Sequence, residues 1–129
     1  GVFSHETALY LHDLCDRTPL QLNLTIPSGY NTPLLTDDNY RFFYCKNEWI
    51  NIGKEKLLSP YGNVIILYDM ERTLCDCVRK MNKLDQDMVL FALKQYTKKD
   101  KRDYAKLLNY ARVFKIYDKM KQYISLLLW

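Results

Sequence analysis

The sequence predicts an α+β fold with an N-terminal helix, a small mixed sheet of about four strands, and about four C-terminal helices packed on that sheet. Three observations predict it. The length of 129 residues suits one domain. Strand-like patterns are confined to the first half, and helical periodicity starts at Asp69 and continues to the end. We therefore expect a single domain over residues 1–129, with helix plus sheet in 1–68 and a basic helical part in 69–129.

The first helix is predicted to begin at Ser4, whose hydroxyl can cap free backbone N–H groups. Glu6 lies favourably at the positive end of the helix dipole, and the helix should end within residues 16–19. Polar and apolar residues then alternate over residues 21–26. This alternation predicts a half-buried strand with its two leucines and its isoleucine on one face.

Aromatic and β-branched residues predict two more strands, at 40–45 and 49–52, and residues 55–58 suggest a further pairing segment. Residues 59–62 have Pro and Gly at the second and fourth positions, as a type I turn prefers. Residues 64–68 follow directly and are apolar at every position. They predict a central strand covered on both sides.

Apolar residues at three- and four-residue spacing predict four C-terminal helices, which begin near Asp69, Asp85, Tyr104 and Ile116. Acidic side chains at the first two starts complement the helix dipole. In the first of these helices, Arg72 and Asp76 are four residues apart, a spacing that predicts an ion pair on the helix surface.

Composition and termini limit the class of protein. The chain is 48% hydrophobic and 26% charged, which favours an ordered globular domain. No apolar run approaches the ~20 residues that span a bilayer, so we expect no membrane association. The first residues lack an initiator Met and a signal-peptide pattern, so we expect that the chain begins inside a longer protein. We interpret the four cysteines as reduced thiols of a cytoplasmic protein.

Common catalytic and cofactor motifs are missing from the sequence. Its four glycines form no dinucleotide-binding, phosphate-binding or nucleophile-elbow motif. His5 and His12 would lie on one side of the first helix, two turns apart, and no cysteine pair adds metal-ligand spacing. We therefore expect no metal, no cofactor and no catalytic residue. Asp69 and Glu71, after the predicted central strand, leave open a nuclease-like acid cluster, but helix capping explains them better.

Basic residues are concentrated in the second half. Residues 1–64 carry five Lys/Arg and seven Asp/Glu, whereas residues 65–129 carry fourteen and eight, so the halves differ as −2 and +6. We expect Lys98, Lys99, Lys101 and Arg102 to enter the third C-terminal helix, and further cations to line one side of it with tyrosines between them. The candidate residues for binding DNA or an acidic partner are Lys98, Lys99, Lys101, Arg102, Lys106, Arg112, Lys115 and Lys119.

Four segments, at residues 4–14, 18–27, 68–76 and 107–111, resemble in collinear order the C-terminal region of AbiEi-type antitoxins, the transcriptional regulators of bacterial abortive-infection systems. The helix start and the Glu-Arg-Thr-Leu-Cys-Asp segment are the most specific parts. The motif positions, whose role the resemblance leaves undecided, are His5, Glu6, Tyr10, His12, Glu71, Arg72, Thr73 and Asp76. Our working hypothesis is that the junction between the sheet and the helix is anchored by Glu71, Arg72, Thr73 and Asp76.

The resemblance implies an antitoxin that opposes a nucleotidyltransferase-like toxin in phage defence, as a type IV system without a required stable complex. It also implies that an N-terminal winged-helix domain, which this sequence lacks, binds operator DNA with support from the present region. It implies no catalytic residue. Two alternatives stay open: a nuclease-like enzyme, active or degenerate, and a protein-interaction module that binds the winged helix or a second copy. The oligomeric state is left open.

Overall fold

The computed structural model describes residues 1–31 and 33–128, so Thr32 and Trp129, the last residue of the predicted domain, lie outside the described residues. Within the described part the chain forms five strands and five α-helices, together with three 3₁₀ helices. The strands are β1 (Val2–Phe3), β2 (Leu22–Pro27), β3 (Tyr40–Cys45), β4 (Lys54–Leu58) and β5 (Val64–Tyr68). The helices are α1 (His5–Leu11), α2 (Met70–Arg79), α3 (Gln86–Tyr96), α4 (Tyr104–Val113) and α5 (Tyr117–Leu127). The α+β class is confirmed, with one strand more than expected.

The strands form a mixed sheet in the order β3-β2-β1-β5-β4. Pairs β1–β2 and β4–β5 are antiparallel, whereas β1–β5 and β2–β3 are parallel. The central strand is therefore β1, a two-residue strand that the sequence analysis did not predict. Both neighbours align with it at Phe3, which pairs with Leu24 of β2 and Leu67 of β5.

Helix α1 ends at Leu11, well before residues 16–19 where we expected its end. Asp13 has a φ of +58°, and the Leu14 N–H bonds back to the Leu9 carbonyl, so the chain turns out of the helix at this point. Ser4 occupies the N-cap position, but its hydroxyl makes no capping bond. The amide of Asn23 takes that role instead, because its Oδ1 accepts the Glu6 N–H at 3.0 Å.

Strand β2 is buried on both faces rather than half-buried. Asn23 and Thr25, on the face predicted to be polar and exposed, are buried together with Leu24 and Ile26 of the other face, whereas Leu22 at the start of the strand is exposed. Their polar groups are satisfied locally. The Asn23 N–H donates to Thr7 Oγ1 at 2.7 Å, and Thr25 Oγ1 donates to Ser4 Oγ at 2.7 Å. The alternation of polar and apolar residues therefore predicted the strand, but it did not predict that a helix covers the face expected to be exposed.

Two strand predictions were wrong in detail. Residues 49–52 are not a strand: a 3₁₀ helix at Asn47–Trp49 leads into a turn whose carbonyls bind Arg72. Strand β5 is an interior strand, between β1 and β4, but it is not covered along its whole length, since Val64 at its start is 60% exposed. The turn between β4 and β5 agrees with the prediction, because the Gly62 N–H donates to the Ser59 carbonyl at 3.0 Å.

Helices α2, α3 and α4 each begin after an aspartate that accepts backbone N–H bonds. Asp69 accepts from Arg72, Asp85 from Asp87 and Met88, and Asp103 from Lys106. Side chains of α1 to α5 form one apolar core whose fully buried members include Leu9, Leu74, Leu93, Leu107 and Met120. No helix in residues 1–31 and 33–128 is long and apolar enough to cross a membrane.

Candidate functional site

Arg72 lies at the junction between the sheet and the helices, with 0% of the residue exposed. Its Nη1 donates to the carbonyls of Trp49 and Ile52, at 2.6 and 2.9 Å. Its Nε donates to the Asp76 carboxylate at 3.0 Å, so this ion pair is buried and not on the helix surface as predicted. The contacts are those of an anchor between α2 and the turn before β4.

Aromatic rings enclose the Arg72 guanidinium. Its carbon lies 4.0 Å from the centre of the Tyr68 ring and 4.4 Å from that of Phe114. Gly53 allows the turn to approach so closely: its φ is +80°, and a Cβ there would lie 2.8 Å from the Arg72 Cβ. Asp76 also accepts a bond from Arg79 at 3.2 Å.

Asp69 and Glu71 face a cleft of about 620 Å³ between β4, α2 and the chain before α4. Asp69 accepts a bond from the Tyr110 hydroxyl at 2.9 Å and pairs with Lys106 Nζ at 3.0 Å. Glu71 accepts a 2.6 Å bond from the Tyr96 hydroxyl and lies 3.7 Å from Lys106 Nζ. Both carboxylates are therefore occupied by internal donors.

The same cluster changes the acidity of its members. Burial and the Asp69 carboxylate raise the pKa of Tyr110 to about 12. Burial opposes the charge on Lys106, but the hydrogen bond to Asp69 and the charge of that carboxylate raise the pKa of Lys106 overall.

Among the described residues, no group of three or more His, Cys, Asp or Glu side chains is placed to hold a metal ion.

The two histidines lie in separate environments. His5 is buried and stacks on Phe43 with ring centres 3.7 Å apart, and the Ser4 hydroxyl bonds its Nδ1 at 2.8 Å. Burial lowers the pKa of His5 to about 4. His12 follows the end of α1, and its Nε2 donates to the Tyr68 carbonyl at 2.7 Å.

The other motif positions also divide by environment. Thr73 is buried and donates to the Tyr68 carbonyl at 3.3 Å. Glu6 is half-buried and Tyr10 is 44% exposed. The motif residues at 71–76 therefore lie together, and His12 joins them through its bond to the Tyr68 carbonyl, which Thr73 also bonds.

The first four basic candidates do not enter the third C-terminal helix as predicted. Lys98, Lys99, Lys101 and Arg102 lie in the connection before α4, which Asp103 caps. Lys99 Nζ lies 3.7 Å from the Asp13 carboxylate. With Lys106 bound to Asp69 and Glu71, two of the eight candidates have acidic partners among the described residues.

Four exposed cations on the last two helices and the connection between them, together with the half-buried ring of Tyr117, form a group that we name the α4–α5 basic patch; its cations are Arg112, Lys115, Lys119 and Lys121. The Arg112 guanidinium lies 4.3 Å from the centre of the Tyr117 ring, and Lys121 Nζ lies 5.8 Å from it. Within the part of the chain that the structure describes, no carboxylate lies within 4 Å of these four cations.

Tyr96 is fully buried in the apolar core. The hydrogen bonds of the Tyr96 and Tyr110 hydroxyls to Glu71 and Asp69 were not predicted. The sequence contains no signal that would pair residues so far apart along the chain. No protein-family model matches the sequence, and no curated protein matches it.

Proposed function

We propose that this chain is the antitoxin domain of a bacterial abortive-infection system, which counteracts a nucleotidyltransferase-like toxin in the cytoplasm. In the full-length protein it supports autoregulatory binding of operator DNA by an N-terminal winged helix. The resemblance of four collinear segments to AbiEi-type antitoxins supports the family. The observation that carries the binding role is the α4–α5 basic patch, whose cations face solvent without an acidic partner among the described residues.

Arg112 is the best-placed phosphate ligand of this patch. Its guanidinium stacks on Tyr117, and its Nη1 donates to Asn109 Oδ1 at 3.0 Å. These two contacts restrict the side chain, so less rotamer entropy is lost when a phosphate binds. The planar group keeps further N–H donors for a bidentate phosphate contact. Lys115 and Lys119 line the surface at Tyr117 together with one acid, Asp118.

We propose a non-enzymatic role, which is supported by the internal partners of the acids after β5. Asp69 and Glu71 are bound by Lys106 and by two tyrosine hydroxyls. The alternative nuclease-like enzyme predicts metal-dependent cleavage of nucleic acid. Incubation of the purified chain with single- and double-stranded DNA and Mg²⁺ or Mn²⁺ should leave both intact. Cleavage that disappears in a Glu71→Ala protein would overturn the non-enzymatic role.

The basic patch predicts a salt-dependent affinity for DNA. Each neutralised phosphate contributes about 0.9 to the slope of log affinity against log salt concentration. A variant carrying Arg112→Gln, Lys115→Gln and Lys119→Gln should therefore lose up to about 3 from that slope. Fluorescence anisotropy with a labelled duplex at several salt concentrations measures it.

The matched control is Lys54→Gln, which removes an exposed lysine from β4 on the sheet. It should leave the slope unchanged. A triple variant whose slope equals that of the wild type would exclude phosphate contacts by the patch.

A further inference from the structure

Strand β3 is an edge of the sheet, and its hydrogen bonds show which of its backbone groups face outward. The Leu22 N–H donates to the Asn39 carbonyl and the Ser28 N–H to the Cys45 carbonyl, both at 2.9 Å. Bonds of a parallel pair alternate along the strand, so odd-numbered residues of β3 direct their backbone groups to β2. The N–H and C=O of Phe42 and Tyr44 therefore point away from the sheet.

These outward groups have no partner in the described part of the chain. Tyr40, the other even-numbered residue, donates its N–H to the Asp37 carbonyl. The free stretch of the edge is thus 42–44. Edge strands are often protected by charged side chains. Strand β4, the opposite edge, carries Lys54, Glu55 and Lys56, whereas 42–44 carries only aromatic side chains.

A groove of about 240 Å³ runs along this edge, lined by Arg41, Phe42, Phe43, Tyr44, Lys80 and Lys83. Three of its lining side chains are cationic and none is acidic. No carboxylate of the described residues lies within 4 Å of these three cations. Burial, and to a lesser extent the charges of Arg79 and Lys83, lower the pKa of Lys80.

The two faces of β3 define what an added strand would touch. Arg41 and Phe43 share one face, on which Lys80 and Lys83 also lie, and Phe42 and Tyr44 share the other. Side chains of an added strand alternate in the same way. We propose that the β3 edge binds an extended segment of a partner protein in which acidic residues, facing the cations, alternate with apolar residues, facing Phe42 and Tyr44.

This mode of recognition is strand addition, in which main-chain bonds supply affinity and alternate side chains supply specificity. A second copy of this chain fits less well. If two copies paired β3 with β3 about a two-fold axis perpendicular to the sheet, equivalent faces of the two sheets would lie on the same side. Arg41, Lys80 and Lys83 of one copy would then lie near the same three cations of the other copy. Nucleic acid carries no peptide backbone to pair with Phe42 and Tyr44.

The probe is a short fluorescein-labelled peptide of alternating glutamate and valine. Its matched controls are the lysine–valine peptide and a glutamate–valine peptide whose amides on the β3 side are N-methylated. We expect only the unmodified acidic peptide to bind in fluorescence anisotropy. In hydrogen exchange, binding should protect the Phe42 and Tyr44 amides, while the Arg41 and Phe43 amides are already protected by β2.

Variants separate backbone pairing from charge. Tyr44→Pro removes an outward N–H without touching a bond to β2, and should weaken binding at least about tenfold. Lys56→Pro is the matched control on the outward side of β4, and it should leave binding unchanged. Lys80→Glu combined with Lys83→Glu should also weaken binding at least about tenfold.

Three results would overturn the proposal. The first is equal affinity for the N-methylated peptide. The second is unchanged hydrogen exchange at the Phe42 and Tyr44 amides when the acidic peptide is added to the wild-type chain. This measurement does not depend on the folding of any variant. The third is protection of those amides by added DNA, or by raised protein concentration without peptide, because nucleic acid or a second copy would then occupy the edge.

Discussion

Arg72 connects three parts of the chain through one side chain. It binds two carbonyls of the turn before β4, the Asp76 carboxylate on its own helix, and the Tyr68 and Phe114 rings. A buried ion pair adds little net stability compared with apolar residues, but removal of one partner leaves an uncompensated buried charge. Arg72, one of the motif residues, therefore connects α2 to the turn before β4.

Arg72→Ala should lower the free energy of unfolding by about 3–5 kcal/mol, because Asp76 would keep its burial and lose its main partner. Urea denaturation followed by circular dichroism measures this change. Arg79→Ala, which removes a more exposed donor to the same carboxylate, is the control and should cost much less. An Arg72→Ala protein of full stability that has lost antitoxin activity would contradict the anchoring role.

His5 makes stability depend on pH. Its pKa is lowered from 6.5 to about 4 by burial, so the unfolded chain binds a proton more readily than the folded chain. Stability from this residue is fully present above pH 6.5 and is lost as the pH falls towards 4. The loss is roughly 3 kcal/mol.

Thermal unfolding at a series of pH values tests this prediction. The His5→Gln protein should lose less stability than the wild type between pH 6.5 and 4, and both should respond alike above pH 7. Parallel curves for the two proteins over the acidic range would show that His5 does not titrate as described.

At the scale of elements, the helices were more predictable than the sheet. Aspartates at 69 and 85 were recognised as helix starts, because an acid at the N-cap bonds a local backbone N–H. Strand β1 has only two residues and is defined by its neighbours, so no local pattern could reveal it. Residues 49–52 have strand-forming side chains, but Arg72 binds their carbonyls and fixes a turn instead.

Helix α1 depends on a cap supplied by a distant strand. Asn23→Ala should remove the acceptor for the Glu6 N–H and cost about 1–2 kcal/mol of stability. Hydrogen exchange at the Glu6 amide is the specific measurement, because it should accelerate in Asn23→Ala but not in Ser4→Ala. Equal acceleration in both variants would restore Ser4 as the cap.

For the whole molecule, the sequence shows that basic residues are concentrated in the second half. It does not show which of these cations bind acids within the domain and which stay exposed. Lys106 and Arg112 lie six residues apart on α4, and both were candidates for partner binding. In the structure Lys106 binds Asp69 and Glu71, whereas Arg112 is exposed beside Tyr117. Only the packing of α4 on α2 distinguishes them, and that packing depends on contacts between residues far apart in sequence.

The central claim is that antitoxin activity resides in this domain and depends on its α4–α5 basic patch. A growth-rescue assay tests it most directly: the nucleotidyltransferase-like toxin that we propose as the partner is expressed in a bacterial host together with residues 1–129. We expect growth to be restored by the wild-type domain and by Lys54→Gln, and lost with the triple variant Arg112→Gln, Lys115→Gln and Lys119→Gln. A folded wild-type domain that fails to restore growth, or a triple variant that restores it fully, would contradict the claim.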